Sequence, residues 1–235
     1  MVKYVRDTLH GFRERPHYEP AELDMMFEKI IVDFLRKKHG KVDFPITTDD
    51  ITVLIEQDVS DLDQFADLTP YGSNVEGVTE FVRSGKPRVS ISKAVRRFEN
   101  RLRTTLTHEY GHVRLHGYLF AAEERRLGLL SGQKANAIYC KRDAILGANK
   151  TDWLEWQAGY VSGAALMPKT YVRNTVAAIH QSRNIYGPVS PTSDNGRALI
   201  EAVMAGFAVS CDAATVRLKI LGFLGVEPAT RSLFS

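Results

Sequence analysis

Between Pro20 and Gly40 the chain reads PAELDMMFEKIIVDFLRKKHG, with Leu23, Met26, Ile30 and Phe34 returning every three or four residues. That spacing puts them on one side of an α-helix, and Gly40 is a natural stop because it tolerates the left-handed conformation at a helix end. The next apolar run, ITVLI (51–55), follows Thr48, Asp49 and Asp50. Those three are candidate helix caps, yet the β-branched residues suit a strand equally, and the pattern leaves both readings open. LDQFADLTPYGSN (62–74) is rich in turn formers and reads as a loop. Two β-like runs follow, VEGVTEFV (75–82) and PRVSISK (87–93), joined by RSGK, where Gly85 can supply a positive φ. They predict a hairpin.

From Phe98 to His116 the period becomes helical, with Leu102, Leu106, Tyr110 and Val113 on one stripe. The helix is expected to end near Gly117, and residues 121–150, charged and polar around SGQKAN, read as a loop. A second helix is expected from about Asp152 to just before Pro168, and another through TYVRNTVAAIH (170–180). Beyond the Gly/Pro/Ser-rich 187–196, residues 197–224 suggest two helices joined around Gly206 to Ser210, with Ser210 or Asp212 as the second cap. The chain contains no internal repeat and no low-complexity tract. The expected fold class is α+β: a helical N-terminal segment (1–44), a core of small sheet and central helix (45–170), and a helical C-terminal region (171–235).

Composition narrows the function classes. At 235 residues and 44% hydrophobic, the chain can bury one main core with a small appendage. A net charge of +3 falls short of the concentrated positive field of a dedicated nucleic-acid module. The first twenty residues lack the apolar core of a secretory signal, and the longest nearly apolar run, AVMAGFAVSC (202–211), is too short for a membrane span. Cys140 and Cys211 are too few for a disulfide framework. A cytoplasmic location without membrane attachment is the expectation.

The chemistry is concentrated in TLTHEYGHVRLHG (105–117). Helical residues four apart lie roughly 40° from one another and about 6 Å along the axis, so His108 and His112 project as a two-nitrogen clamp. The stripe of Leu102, Leu106 and Val113 lies roughly 130° away, which leaves the imidazoles facing a cleft. A catalytic zinc takes three protein ligands and keeps one position for water. Glu109, directly after the first histidine of His-Glu-x-x-His, is placed to be the general base.

A third histidine in the extended metzincin pattern is excluded, because Leu115 and Tyr118 occupy the positions where Gly and His would be needed. An uninterrupted helix cannot fold His116 around the same ion, so its expected role is to orient a neighbour or to face solvent. DWLEWQAGYVSGAALMPK (152–169) offers Glu155 from another helix. Asp152 followed by Glu155 is also a capping-box-like start with no metal nearby. Small residues at Ala158, Gly159, Ser162 and Gly163 favour close approach of two backbones and thus a ligand; Glu123, Glu124 and Asp152 are the alternatives.

HEYGHVRLH followed by EWQAGYVSGAALMP resembles the ImmA/IrrE metallo-endopeptidases, whose pattern is HE-x-GH-x-x-x-H and then E-x-x-A-N-x-F-A-x-x-L-L-M-P. The match covers roughly residues 75–170; Gly159 stands where Asn is usual, and Val161 and Ser162 where Phe-Ala is usual. The resemblance implies a zincin-like core in which His108, His112 and Glu155 bind zinc, Glu109 is the catalytic base and His116 is an accessory residue. It also implies peptide-bond hydrolysis in a protein substrate, with a DNA-binding repressor as the expected class.

PRVSISK is the expected sheet edge for such a substrate, and Tyr110, Arg114, His116 and Tyr118 are unranked candidates for the oxyanion donor. VSCDAATVRL (209–218) is similar to the family's C-terminal V-S-x-x-A-A-x-x-R-L helix. Its helix-turn-helix-like setting offers only Arg217 and Lys219 to a nucleic acid, so packing is favoured over direct DNA binding. The rival readings are a DNA- or protein-binding regulator with a structural metal site, and an interaction domain without metal.

Overall fold

The chain opens with two short strands, β1 (Lys3–Arg6) and β2 (Glu14–His17), paired antiparallel. The hydrophobic pattern does not announce them, because most of their side chains are exposed or half-buried and carry no alternation. The computed structural model describes residues 3–82, 85–127, 136–141 and 152–225. Among these are seven α-helices and two small sheets, an α+β fold.

Helix α1 (Pro20–His39) ends at Gly40, whose φ of 72° provides the left-handed cap. Its buried face is Leu23, Phe27, Ile31, Phe34 and Leu35, so the true stripe is rotated by about one residue from the expected one; Met26 and Ile30 are only half-buried. The ambiguous ITVLI belongs to a helix, α2 (Thr48–Glu56). Its cap is Thr47, one residue earlier than any of the three candidates, whose side chain accepts from the backbone N–H of Asp50.

The second sheet contains β3 (Asp61–Ala66), β4 (Val75–Phe81), β5 (Arg88–Ser92) and β6 (Asn136–Lys141), in the order β3-β5-β4-β6. Strands β4 (Val75–Phe81) and β5 (Arg88–Ser92) form the expected antiparallel pair, and the turn between them includes Arg83 and Ser84, which lie outside the described residues. Two strands correct the sequence reading. β3 (Asp61–Ala66) runs parallel to β5 where a loop was expected. Its side chains alternate exposed and half-buried, so its order comes from backbone pairing rather than from a hydrophobic face. β6 (Asn136–Lys141) pairs antiparallel with β4 inside the stretch expected to be loop. In consequence β5 is interior, flanked by β3 and β4, and PRVSISK cannot be the substrate-binding edge.

Helix α3 (Glu99–Leu127) carries the histidines and passes through Gly117 without a break. It is buried on almost every side: Leu102, Leu106, Tyr110 and Leu115 are within the core, and so are His108, Glu109, His112 and His116. Helix α4 (Trp153–Leu166) lies against it. The contact is close at Gly111, where an added Cβ would come within 2.9 Å of the Ala158 Cα. Thr107 and Ser162 share a hydroxyl hydrogen bond of 2.9 Å across the same crossing. Ala158 and Ser162 are thus the small residues at the interface, whereas Gly159 and Gly163 are half-buried.

The chain divides into two compact units, Met1–Leu166 and Met167–Ser235. The second contains α5 (Lys169–Ser182), α6 (Asp194–Phe207) and α7 (Cys211–Ile220). Ser210 caps α7 by accepting from Ala213, as its position suggested, and α6 and α7 meet at a bend of 111°. No single helix among the described residues is long and apolar enough to cross a membrane.

Candidate metal centre

One helical turn of α3 brings His108 Nε2 and His112 Nε2 to 3.1 Å from each other. The first turn of α4 then delivers Glu155 to both, with Oε2 at 3.1 Å from His108 Nε2 and Oε1 at 3.4 Å from His112 Nε2. The close α3/α4 crossing is what allows so short a side chain to reach across. Asp152 also accepts from the Glu155 backbone N–H, at 3.4 Å. The capping reading and the ligand reading therefore describe the same residues: the cap starts the helix and the next turn faces the histidines.

The three ligand atoms converge within 4.8 Å of one another, and the group could hold a metal ion. Ions bound tetrahedrally at about 2.1 Å separate their ligands by about 3.4 Å, close to the 3.1 Å between the two imidazole nitrogens and to the approach of each nitrogen to its nearer Glu155 oxygen. Burial pushes the Glu155 carboxyl up, but the facing imidazoles of His108 and His112 outweigh it and hold it well below the usual carboxylate range. A cation between the three would favour the same ionised carboxylate.

Glu109, next to His108 on α3, reaches β4. Thr79 Oγ1 donates to Glu109 Oε2 at 2.5 Å, and Gly77 leaves the space its carboxylate fills: an added Cβ there would lie 2.2 Å from Oε1. A glycine inside a strand pattern marks close approach of another group, so VEGVTEF signals a close approach at Gly77 without naming the partner.

Behind His112 lies a chain of polar side chains. His112 Nδ1 and His116 Nδ1 are 2.9 Å apart, His116 Nε2 is 3.0 Å from Gln157 Oε1, and Gln157 Nε2 donates to the Pro16 carbonyl at 3.2 Å. Burial and the neighbouring His112 hold the His116 pKa well below its ordinary value, so the ring is neutral. Trp153 covers His116 edge-on, with ring centroids 5.6 Å apart, and its Nε1 donates to Asp7 Oδ1 at 3.0 Å. Asp7 also accepts from the backbone of Leu9, His10 and Phe12. The N-terminal segment is thus built into the support of the site, a role without any signal in the periodicity of its residues.

The oxyanion candidates separate. Tyr110 and Arg114 face away from the histidines and share Asp58, at 3.2 and 3.1 Å, with burial raising the Tyr110 phenol. They border a cavity of about 490 Å³ that also takes in Phe34, Lys38 and Leu54 but none of the three converging ligands. His116 is buried behind His112. Tyr118 lies beside Tyr4 and Tyr18, and burial raises its phenol. The Glu123 and Glu124 side chains lie outside the described residues.

The histidine face does not look into open solvent as expected: His108, Glu109 and His112 are fully buried, and the Glu155 side chain retains 12% exposure. The group reaches solvent at its carboxylate side. No protein-family model matches the chain, and no curated protein matches it.

Proposed function

We propose that this chain is a zincin-like, zinc-dependent endopeptidase that hydrolyses a peptide bond in a protein substrate. The observation that carries the reading is the convergence of His108, His112 and Glu155 from two helices, with Glu109 on the same helix held by Thr79. The likeness to the ImmA/IrrE pattern supports it and suggests a repressor-type substrate.

His108, His112 and Glu155 are the residues that would hold zinc, which supplies a Lewis acid for the scissile carbonyl and an acidified water. Glu109 takes the proton from the attacking water and returns it to the leaving amine, and Thr79 keeps one of its oxygens oriented between the two transfers. Gly77 lets the carboxylate lie flat against β4. Because Tyr110 and Arg114 are engaged with Asp58, neither serves as the oxyanion donor in this arrangement.

The burial of the group favours one second reading, a regulator in which the metal is structural. Direct DNA binding through α7 gains nothing from the structure, since Arg217 is buried and donates to the Met167 carbonyl, leaving Lys219 as the exposed base of that helix.

The test combines zinc analysis of the purified protein with cleavage of a proteome-derived peptide library. The endopeptidase reading expects one zinc per chain, and Glu109→Gln to retain it while cleavage falls about 10²–10⁴-fold. Zinc without cleavage by the parent chain would establish the structural-metal reading; absence of zinc would end both.

A further inference from the structure

The proton positions behind His112 can be worked out from the partners at the far end of the chain of hydrogen bonds. A backbone carbonyl only accepts, so the Gln157 atom facing Pro16 O is the amide nitrogen. Gln157 therefore presents its oxygen to His116, and the 3.0 Å contact requires His116 Nε2 to carry a proton. A fully buried imidazole whose hydrogen-bond partners are an amide oxygen and a second imidazole has no carboxylate bonded to it to hold a second proton, so with hydrogen on Nε2 its lone pair is on Nδ1. The 2.9 Å contact between His116 Nδ1 and His112 Nδ1 then needs its single proton on His112. With Nδ1 protonated, His112 bears its lone pair on Nε2, the atom turned toward His108 and Glu155.

We propose that Gln157 and His116 are positioning residues that fix the His112 tautomer, so that an unprotonated Nε2 is offered to a divalent cation, with the Pro16 carbonyl of β2 setting the direction of the whole relay. Resting on the zinc reading for its ligand, the proposal gives Gln157 a role and makes specific which neighbour His116 orients. It explains why a glutamine is buried in α4 two residues from Glu155, and why a strand at the start of the chain is packed against the helix that supplies the third ligand. The two histidines are unlike in this respect, for His108 Nδ1 is buried without a hydrogen-bond partner among the described residues. Outer-shell hydrogen bonds of this kind raise the basicity of the coordinating nitrogen and orient its ring.

Two measurements on the full chain test the relay. The first is long-range ¹H–¹⁵N NMR of the metal-free protein, which reads each imidazole tautomer directly; His112 is expected as the Nδ1–H form and His116 as the Nε2–H form. The second is zinc affinity by chelator competition. Gln157→Leu and His116→Leu are expected to weaken binding about 10–100-fold. His116→Asn, whose side-chain oxygen can accept the same His112 proton, is expected to stay within about threefold of the parent. The proposal is overturned if the parent shows His112 as the Nε2–H form, or if folded Leu variants bind zinc as tightly as the parent. If a Leu variant does not fold, the parent spectrum alone decides. A parent with the expected tautomers and no zinc affinity would sink the zinc reading and leave the relay standing.

Discussion

Buried polar groups distinguish the two units of this chain. The interior of Met1–Leu166 holds Asp7, Asp50, Glu76, His108, Glu109, His112, His116 and Gln157, whereas in Met167–Ser235 Arg217 is the buried polar or charged side chain among the described residues. Each buried polar group must recover its lost hydration through specific partners, and an apolar side chain of similar size would not incur that cost. Their concentration in one unit therefore marks where shape alone does not explain the choice of residues. In the second unit Val172, Val176, Leu199, Val203, Phe207 and Leu218 fill an ordinary helical core.

The glycines repeat the contrast. In the first unit Gly77 leaves room for the Glu109 carboxylate and Gly111 for the α4 backbone; in the second Gly196 is packed against the Ser190 carbonyl, while Gly206 meets only the Thr175 side chain at ordinary contact distance.

The largest expected effect comes from Gly77→Ala. The new methyl would occupy the place of the Glu109 carboxylate, a flexible group that moves aside, so cleavage is expected to fall about 100-fold or more while zinc stays bound. Parallel assays of peptide cleavage and zinc content check this, and unchanged cleavage would break the link between Gly77 and the base.

Gly111→Ala should destabilise by about 1–3 kcal/mol, because its methyl meets the Ala158 backbone and the helices must separate. That sign is opposite to the usual gain from replacing glycine inside a helix. Urea denaturation followed by tryptophan fluorescence reads it, since both tryptophans, Trp153 and Trp156, lie in α4.

Acid should weaken the first unit through Asp50. Burial raises its carboxyl, but hydrogen bonds from Lys38, His39 and Thr47 outweigh this and bring it to about 2. A carboxylate depressed in the folded state stabilises above its unfolded pKa, so the contribution is present above about pH 4 and lost as pH falls toward 2. Its size is about 2 kcal/mol, and Asp50→Asn should flatten that part of the stability curve against pH.

The smallest effect is Gly206→Ala in α6, expected to stabilise the second unit by about 0.5–1 kcal/mol, read by thermal unfolding monitored by circular dichroism. If Gly111 and Gly206 responded with the same sign, the contrast between these two helical glycines would fail.

Elements whose order comes from burying one face were legible before any coordinates: α1, α3, α4 and the β4/β5 pair follow the periodicity of their apolar residues. β1, β2 and β3 were not, because they are held by backbone pairing, which leaves no mark on a largely exposed or half-buried strand; nor was β6, which lies in the stretch expected to be loop. At the site, local spacing disclosed His108, Glu109 and His112, and the small residues of α4 tilted the reading of Glu155 toward a ligand. Thr79, Gln157, Trp153 and Asp7 were hidden for a different reason. Each is chosen by a partner distant in sequence, 30 residues away for Thr79 and 146 for the pair Trp153 and Asp7, and no local window contains both.

The most direct test of the central claim is anomalous diffraction at the zinc edge from crystals of the full chain grown with equimolar zinc. A single peak within coordination distance of His108 Nε2, His112 Nε2 and a Glu155 oxygen is the predicted result. A map with no peak among those three atoms, or with zinc bound only elsewhere on the chain, would contradict it.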